Sequence, residues 1–191
     1  MSETVSLVRH EVQRIGWLAL AAPLIVLTGF TALAIFMALS GADRDHVARV
    51  MLAGIELGVP LVAGVMTASA LTLDPAIEVQ IASVTGFRRT ALRRSTILSV
   101  WNAGFCLGWA LLARASGLWP ADVPGPFLLG QLSWLAPLAW LSAAGALLGV
   151  LTRSRSASAG LIGALWLVEN LAAGLFVARP WLQPVFLFAT T

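Results

Sequence analysis

Between Gly16 and Leu39 the chain carries no charged residue. At 1.5 Å of rise per residue these 24 positions make a helix of about 36 Å, longer than the roughly 30 Å hydrocarbon core of a bilayer. Only a large surrounding core could hide such a segment in a soluble domain. Composition removes that option: 59% of the 191 residues are hydrophobic and 11% are charged, against about 25% charged in ordinary soluble domains. The fold class read from the sequence is therefore all-α integral membrane, a polytopic helical bundle forming a single transmembrane domain over residues 1–191. A cleaved leader is the other reading of an early apolar run. Here the run is too long, and Glu3 and Glu11 spoil the basic start that a leader needs.

After the first span, 16–39, four further apolar runs follow, at 50–73, 95–113, 127–151 and 157–178. The second contains Glu56 and Pro60, the third Asn102, the fourth Gln131 and Pro137, the fifth Glu169 and Asn170. A tail from Pro180 to Thr191 is apolar but too short to cross as a helix, and reads as a re-entrant turn. Charge asymmetry sets the expected orientation. With the N-terminus in the cytoplasm, Arg9, Arg14, Arg88, Arg89, Arg93, Arg94, Arg153 and Arg155 are inside, and Arg44, Arg49, Arg114 and Arg179 are outside. That asymmetry obeys the positive-inside rule, with the plasma (cytoplasmic) membrane as the expected location. Trp119 and Trp181 fall where an interfacial aromatic belt is expected.

All 12 basic residues are Arg; there is no Lys. A Walker-type phosphate loop and a Schiff-base mechanism both need Lys, so neither resides in this chain. The arginines are dispersed over loops and form no single basic face, which argues against nucleic acid as a partner. Cys106 stands alone in an apolar run and reads as a buried, inert thiol. No Cys/His cluster offers a metal site, and neither His10 nor His46 lies in a span. With no His-Glu-x-x-His motif either, an intramembrane enzyme is disfavoured.

Two segments are not simple spans. Val5, Val8, Val12 and Ile15 are spaced three and four apart, which predicts an amphipathic helix over residues 1–15 in the headgroup plane. After the second span, Asp74 suits an N-cap and Pro75 the first helical position. Ile77, Ile81 and Val84 share one face, and Gly86 is placed to end the helix. The result is a short surface helix over 75–84, with acid before it and Arg88, Arg89, Arg93 and Arg94 after it. It reads as a docking element, with a lipid anchor as the alternative.

Inside the spans, Glu56 and Glu169 are expensive. A charge at the bilayer centre costs about 3 kcal/mol on insertion scales and usually faces a bundle interior or a watery cavity. Glu56 has a second option, reaching outward from near the end of its span. Glu169, with Asn170 beside it, points to a polar interior, a subunit interface or an interhelical hydrogen bond. Gly54 and Gly58, Gly104 and Gly108, and Gly145 and Gly149 are each four apart, and each pair is expected to admit a neighbouring helix closely.

An amphipathic start, two spans, a surface helix of the form acid-Pro-x-x-Glu ending in Thr-Gly-Phe-Arg-Arg, and a basic entrance to the third span: this pattern resembles the permease subunits of type-2 ABC transporters. The residues that carry it are Asp74, Pro75, Glu78, Thr85, Gly86, Arg88 and Arg89. The resemblance implies a six-span fold, of which five are read here, with the N-terminal helix as an elbow and 75–84 as the coupling helix. It implies contact with a separate cytoplasmic ATPase subunit through Asp74, Pro75, Ile77, Glu78, Ile81, Arg88 and Arg89. It implies a second permease subunit, as homo- or heterodimer, with the second and fifth spans near their interface. Glu56, Glu169 and Asn170 then fall on the translocation path or that interface. The chain itself is expected to hold no cofactor and to be no enzyme, ATP and Mg being bound by the partner, and the reading is an ATP-driven exporter. A non-transporting scaffold or accessory subunit, and an ion-coupled secondary transporter using the two carboxylates, remain as alternatives.

Overall fold

The structure is a computed structural model that describes residues 16–72, 86–120, 123, 125–172 and 178, with the backbone alone for 86–88. The expected amphipathic segment 1–15, the surface helix 75–84 with Asp74, Pro75, Ile77, Glu78 and Ile81, and the tail 180–191 lie outside the described residues. Every described element is helical. In chain order these are α1 (Trp17–Leu39), α2 (Arg44–Ala53), a π turn (Gly54–Gly58), α3 (Val59–Thr72), α4 (Gly86–Ala115), the short α5 (Phe127–Gly130), α6 (Leu132–Thr152) and α7 (Arg155–Leu171). Four stretches are long and apolar enough to cross a membrane: Trp17–Leu39, Arg44–Thr72, Arg89–Ala115 and Phe127–Thr152. α7 extends for 17 residues in the region of the fifth expected span. The helix carrying Glu56 starts at Arg44, earlier than the apolar run, because Asp43 caps it.

Side chains are distributed as lipid solvation dictates. Along α1 the buried residues are Ala19, Ala22, Pro23, Leu27 and Ala34. Trp17, Leu24, Ile25, Phe36 and Leu39 are exposed instead. In water a helix turns its large apolar groups inward. Lipid tails remove that drive, and helices associate through small residues and close backbone contact. Arg44–Thr72 is the central span: 56% of its most apolar window is buried, against 28%, 28% and 33% for the other three.

α3 and α6 meet backbone to backbone. A Cβ on Gly145 would collide with the carbonyl oxygen of Gly64, and one on Gly149 would lie 2.7 Å from that of Ala68. Residues 64 and 68 therefore meet 145 and 149 in the same order, so the two helices run parallel. At Gly54 and Gly58 it is side chains of α1 that come close: Cβ atoms there would lie 3.2 Å from Phe30 and 2.6 Å from Val26. The third pair behaves otherwise. Nothing comes within 4 Å of a Cβ on Gly104 or Gly108. No described helix of this chain seats on these two: they line an apolar groove of about 1020 Å³ between α1 and α4, with Leu24, Thr28, Trp101 and Phe105.

The described arginines separate to the two ends of the bundle. α4 begins at Gly86, so Arg88, Arg89, Arg93 and Arg94 belong to its first turns rather than to a loop. Arg94 Nη1 donates to the carbonyl of Ala70 near the end of α3 (3.3 Å). Arg153 and Arg155 join this end through the tight α6–α7 connection. At the opposite end Asp43 accepts from the amide of His46 (2.9 Å) and lies 2.7 Å from its Nδ1. That amide hydrogen bond, supported by the imidazole, holds the Asp43 carboxyl below the usual carboxylate range. Arg44 donates to the carbonyl of Gly117 (2.8 Å), and the Arg114 guanidinium stacks 4.5 Å over the ring of Phe127. Trp119 is half-buried, edge-on to Phe127 at 5.0 Å.

Candidate functional site

A helix widens into π geometry for a local reason. Pro60 supplies it here. It has no N–H, so the carbonyl of Glu56 loses its α-helical donor. Gly54 and Gly58 carry no side chains to resist the wider turn. The backbone answers with a bond from the amide of Val59 to the carbonyl of Gly54, five residues back. Two tryptophans from other helices hold the same stretch. Trp109 of α4 donates to the carbonyl of Met51 (3.3 Å), and Trp166 of α7 donates to that of Leu57 (3.2 Å).

Glu56 sits at the centre of this turn and is 1% exposed. The outward-reaching alternative is thereby corrected. Its neighbours Ile55 and Val59 belong to the main apolar cluster with Leu27, Cys106, Trp134 and Leu138. The geometry of close helices around Gly54 and Gly58 leaves the carboxylate no route along the surface.

Glu169 is the second buried carboxylate, 4% exposed. α7 runs antiparallel to α3: Ile162 lies against Gly64, while Trp166 reaches Leu57. One turn further along α7, Glu169 comes to the depth of Glu56. The two carboxylates picked from the sequence are thus on adjoining helices at one level. Asn170 follows Glu169 in α7 and is half-buried. Its Nδ2 donates to the carbonyl of Trp166 in its own helix (2.8 Å). Arg89 is exposed and lies at the Arg-rich end, away from both.

Thr67 and Ser142 escaped the sequence reading. Thr67 Oγ1 on α3, Asn102 Oδ1 on α4 and Ser142 Oγ on α6 are buried and find no hydrogen-bond partner among the described residues. Leu98 packs with Ala70, and Cys106 shares a cluster with Ala63. Asn102, midway between Leu98 and Cys106, therefore lies at the level of Thr67. Ser142 is one turn beyond Leu138, which clusters with Ala63 and Val59. These oxygens, like Glu56, are buried within the bundle. No spacing in the sequence marks them, because isolated Ser and Thr are common in apolar helices.

Chemically, a buried carboxylate such as Glu56 can bind and release a proton or a cation. Among the described residues no three His, Cys, Asp or Glu side chains gather to hold a metal ion. Cys106 is fully buried in apolar surroundings. The chain matches no protein-family model, no curated protein and no solved structure.

Proposed function

We propose that this chain is the membrane-spanning subunit of a transporter, driven by a separate ATPase and similar to type-2 ABC exporters. The observation that carries the transport reading is Glu56, buried on a π turn in the central span. A carboxylate is retained at such a cost where something polar must pass or bind. The π turn also gives the central span a second helical register, the kind of two-state element a transport cycle needs. The ATP coupling rests on the Asp74-Pro75-x-x-Glu78 segment and the Arg88-Arg89 pair between the second and third spans. In this reading a cytoplasmic ATPase docks on 75–84, contacting Asp74, Pro75, Ile77, Glu78, Ile81, Arg88 and Arg89. Nucleotide-driven closure then pulls on α3 and α4. A second permease subunit completes the path, the N-terminus is cytoplasmic, residues 1–15 form an elbow helix, and ATP and Mg stay in the partner. Reversing the charge at Glu78 tests this directly. With the ATPase subunit co-purified and both reconstituted in vesicles, Glu78→Arg should uncouple ATP hydrolysis from transport while assembly persists. Normal coupled transport in that variant would sink the proposal.

One observation favours a second reading. The central span is interrupted by the π turn and Pro60 beside a buried carboxylate, with Glu169 at the same depth. Interrupted helices with midplane carboxylates suit ion-coupled carriers. Transport that follows an imposed proton gradient without ATP would select this reading.

A further inference from the structure

At the Arg-rich end a cavity of about 290 Å³ opens where α1 begins, α3 nears its end and α7 begins. Gly16, Trp17, Ser69, Ala70 and Arg155 contribute to its wall. Its level is that of the lipid headgroups, since Trp17 is the first residue of a span and is 73% exposed, as an interfacial aromatic is. Its charge is cationic. Arg155 is exposed, and among the described residues nothing pairs with its guanidinium. Arg94 bonds the carbonyl of Ala70, a wall residue, from behind. Among the described residues, none that lines the cavity is acidic.

The position of Arg155 is built in. Arg153 takes a left-handed conformation (φ 50°), which turns the chain within two residues. Thr152 Oγ1 meets Ser158 Oγ at 2.7 Å, and Ser158 Oγ donates to the carbonyl of Ser154 at 2.7 Å. The start of α7 is thus tied to the end of α6, and Arg155 is held at the cavity mouth. Gly16, just before α1, carries no side chain to fill the cavity.

We propose that this cavity binds the phosphodiester headgroup of an anionic phospholipid, with Arg155 as its main phosphate ligand and the chains continuing along the apolar surface of α1. Basic pockets between spans at a membrane face recognise such lipids. The site does not rest on the transport reading. The test uses the full chain in detergent, with bound lipid counted by native mass spectrometry during titration with phosphatidylglycerol or phosphatidylcholine. Phosphatidylglycerol should be retained about tenfold better than phosphatidylcholine, and Arg155→Gln should remove about tenfold of that preference. Arg155→Lys should keep most of it. Arg89→Gln, which alters an exposed arginine of the same end that does not line the cavity, should change nothing. Equal retention of the two lipids, or unchanged retention in Arg155→Gln, would overturn the proposal. Displacement by millimolar inorganic phosphate would overturn the lipid as the source of the phosphate. An undiminished preference after Arg155→Gln, lost instead on deleting residues 1–15, would assign lipid binding to that segment and likewise overturn it.

Discussion

Replacing Gly145 by alanine adds one methyl group where α3 and α6 approach most closely. Its Cβ would overlap the carbonyl oxygen of Gly64, with the carbonyl carbon 2.9 Å and the Cα 3.1 Å away. All three are backbone atoms, so no rotamer change relieves the overlap. A relaxed carbon–oxygen contact lies near 3.3–3.6 Å, so the helices must part by on the order of 1 Å. A gap of that size forfeits about a quarter to a half of the dispersion energy along the seam. Overpacking of this kind costs about 1–3 kcal/mol. Gly104→Ala is the internal control. It has the same four-residue spacing to a second glycine, yet meets nothing within 4 Å. Alanine there improves helix propensity by up to about 1 kcal/mol. Reversible unfolding in mixed micelles with rising SDS fraction, followed by circular dichroism, measures both. Gly145→Ala should lose about 1–3 kcal/mol and Gly104→Ala none. If Gly145→Ala stays within about 0.5 kcal/mol of wild type, or if Gly104→Ala falls as far as Gly145→Ala, the packing argument is refuted.

Three other outcomes are expected. Trp166→Phe removes the donor to the carbonyl of Leu57 and should cost about 1 kcal/mol; hydrogen exchange should quicken at the amides of the π turn, and unchanged exchange there would contradict the role given to the indole. Glu56→Gln keeps the shape and removes the charge, so it should assemble normally and reduce transport by at least about tenfold, one order being a typical cost of a single lost charged contact; full transport would exclude the carboxylate from the path. Asp43→Ala should fray the start of α2, seen as faster exchange at the amide of His46. Because the folded Asp43 carboxyl lies below its unfolded value, the cap is fully formed above the ordinary carboxylate range and is lost as pH falls through the depressed folded value. A titration midpoint at or above that of an unstructured peptide would disprove this.

Four of the five expected spans coincide with helices long and apolar enough to cross a membrane, because bilayer thickness leaves its mark on the sequence: α1 lies within a charge-free run. Glu56 and Glu169 stood out for the same reason, as charges where charges cost most. Their surroundings did not. Burial of Glu56 depends on α1 closing over Gly54 and Gly58, and its common depth with Glu169 depends on where Trp166 meets Leu57. The π turn had a legible cause, Pro60 four residues after Glu56 between two glycines, but only backbone bonding shows that the chain answers a missing donor by widening rather than kinking. The glycine pairs make the limit plain. Spacing four apart permits close approach, and whether a neighbour arrives depends on the rest of the bundle, which fills the space beside Gly145 and leaves that beside Gly104 open.

A π turn holds one residue more than the α-helix it interrupts. Deleting a single position from Gly54–Gly58 would therefore remove the extra residue, leave Pro60 as a kink between α2 and α3, and turn one side relative to the other by about 100°. Arg44 would swing away from Gly117, and the carbonyl of Met51 would leave Trp109, though neither residue had been touched. The turn sets the angle between the inner bundle and its cap at the Asp43 end. Related chains without it should align with this one only through a one-residue gap between positions 54 and 58, and whatever they carry opposite Glu56 should face a different helix.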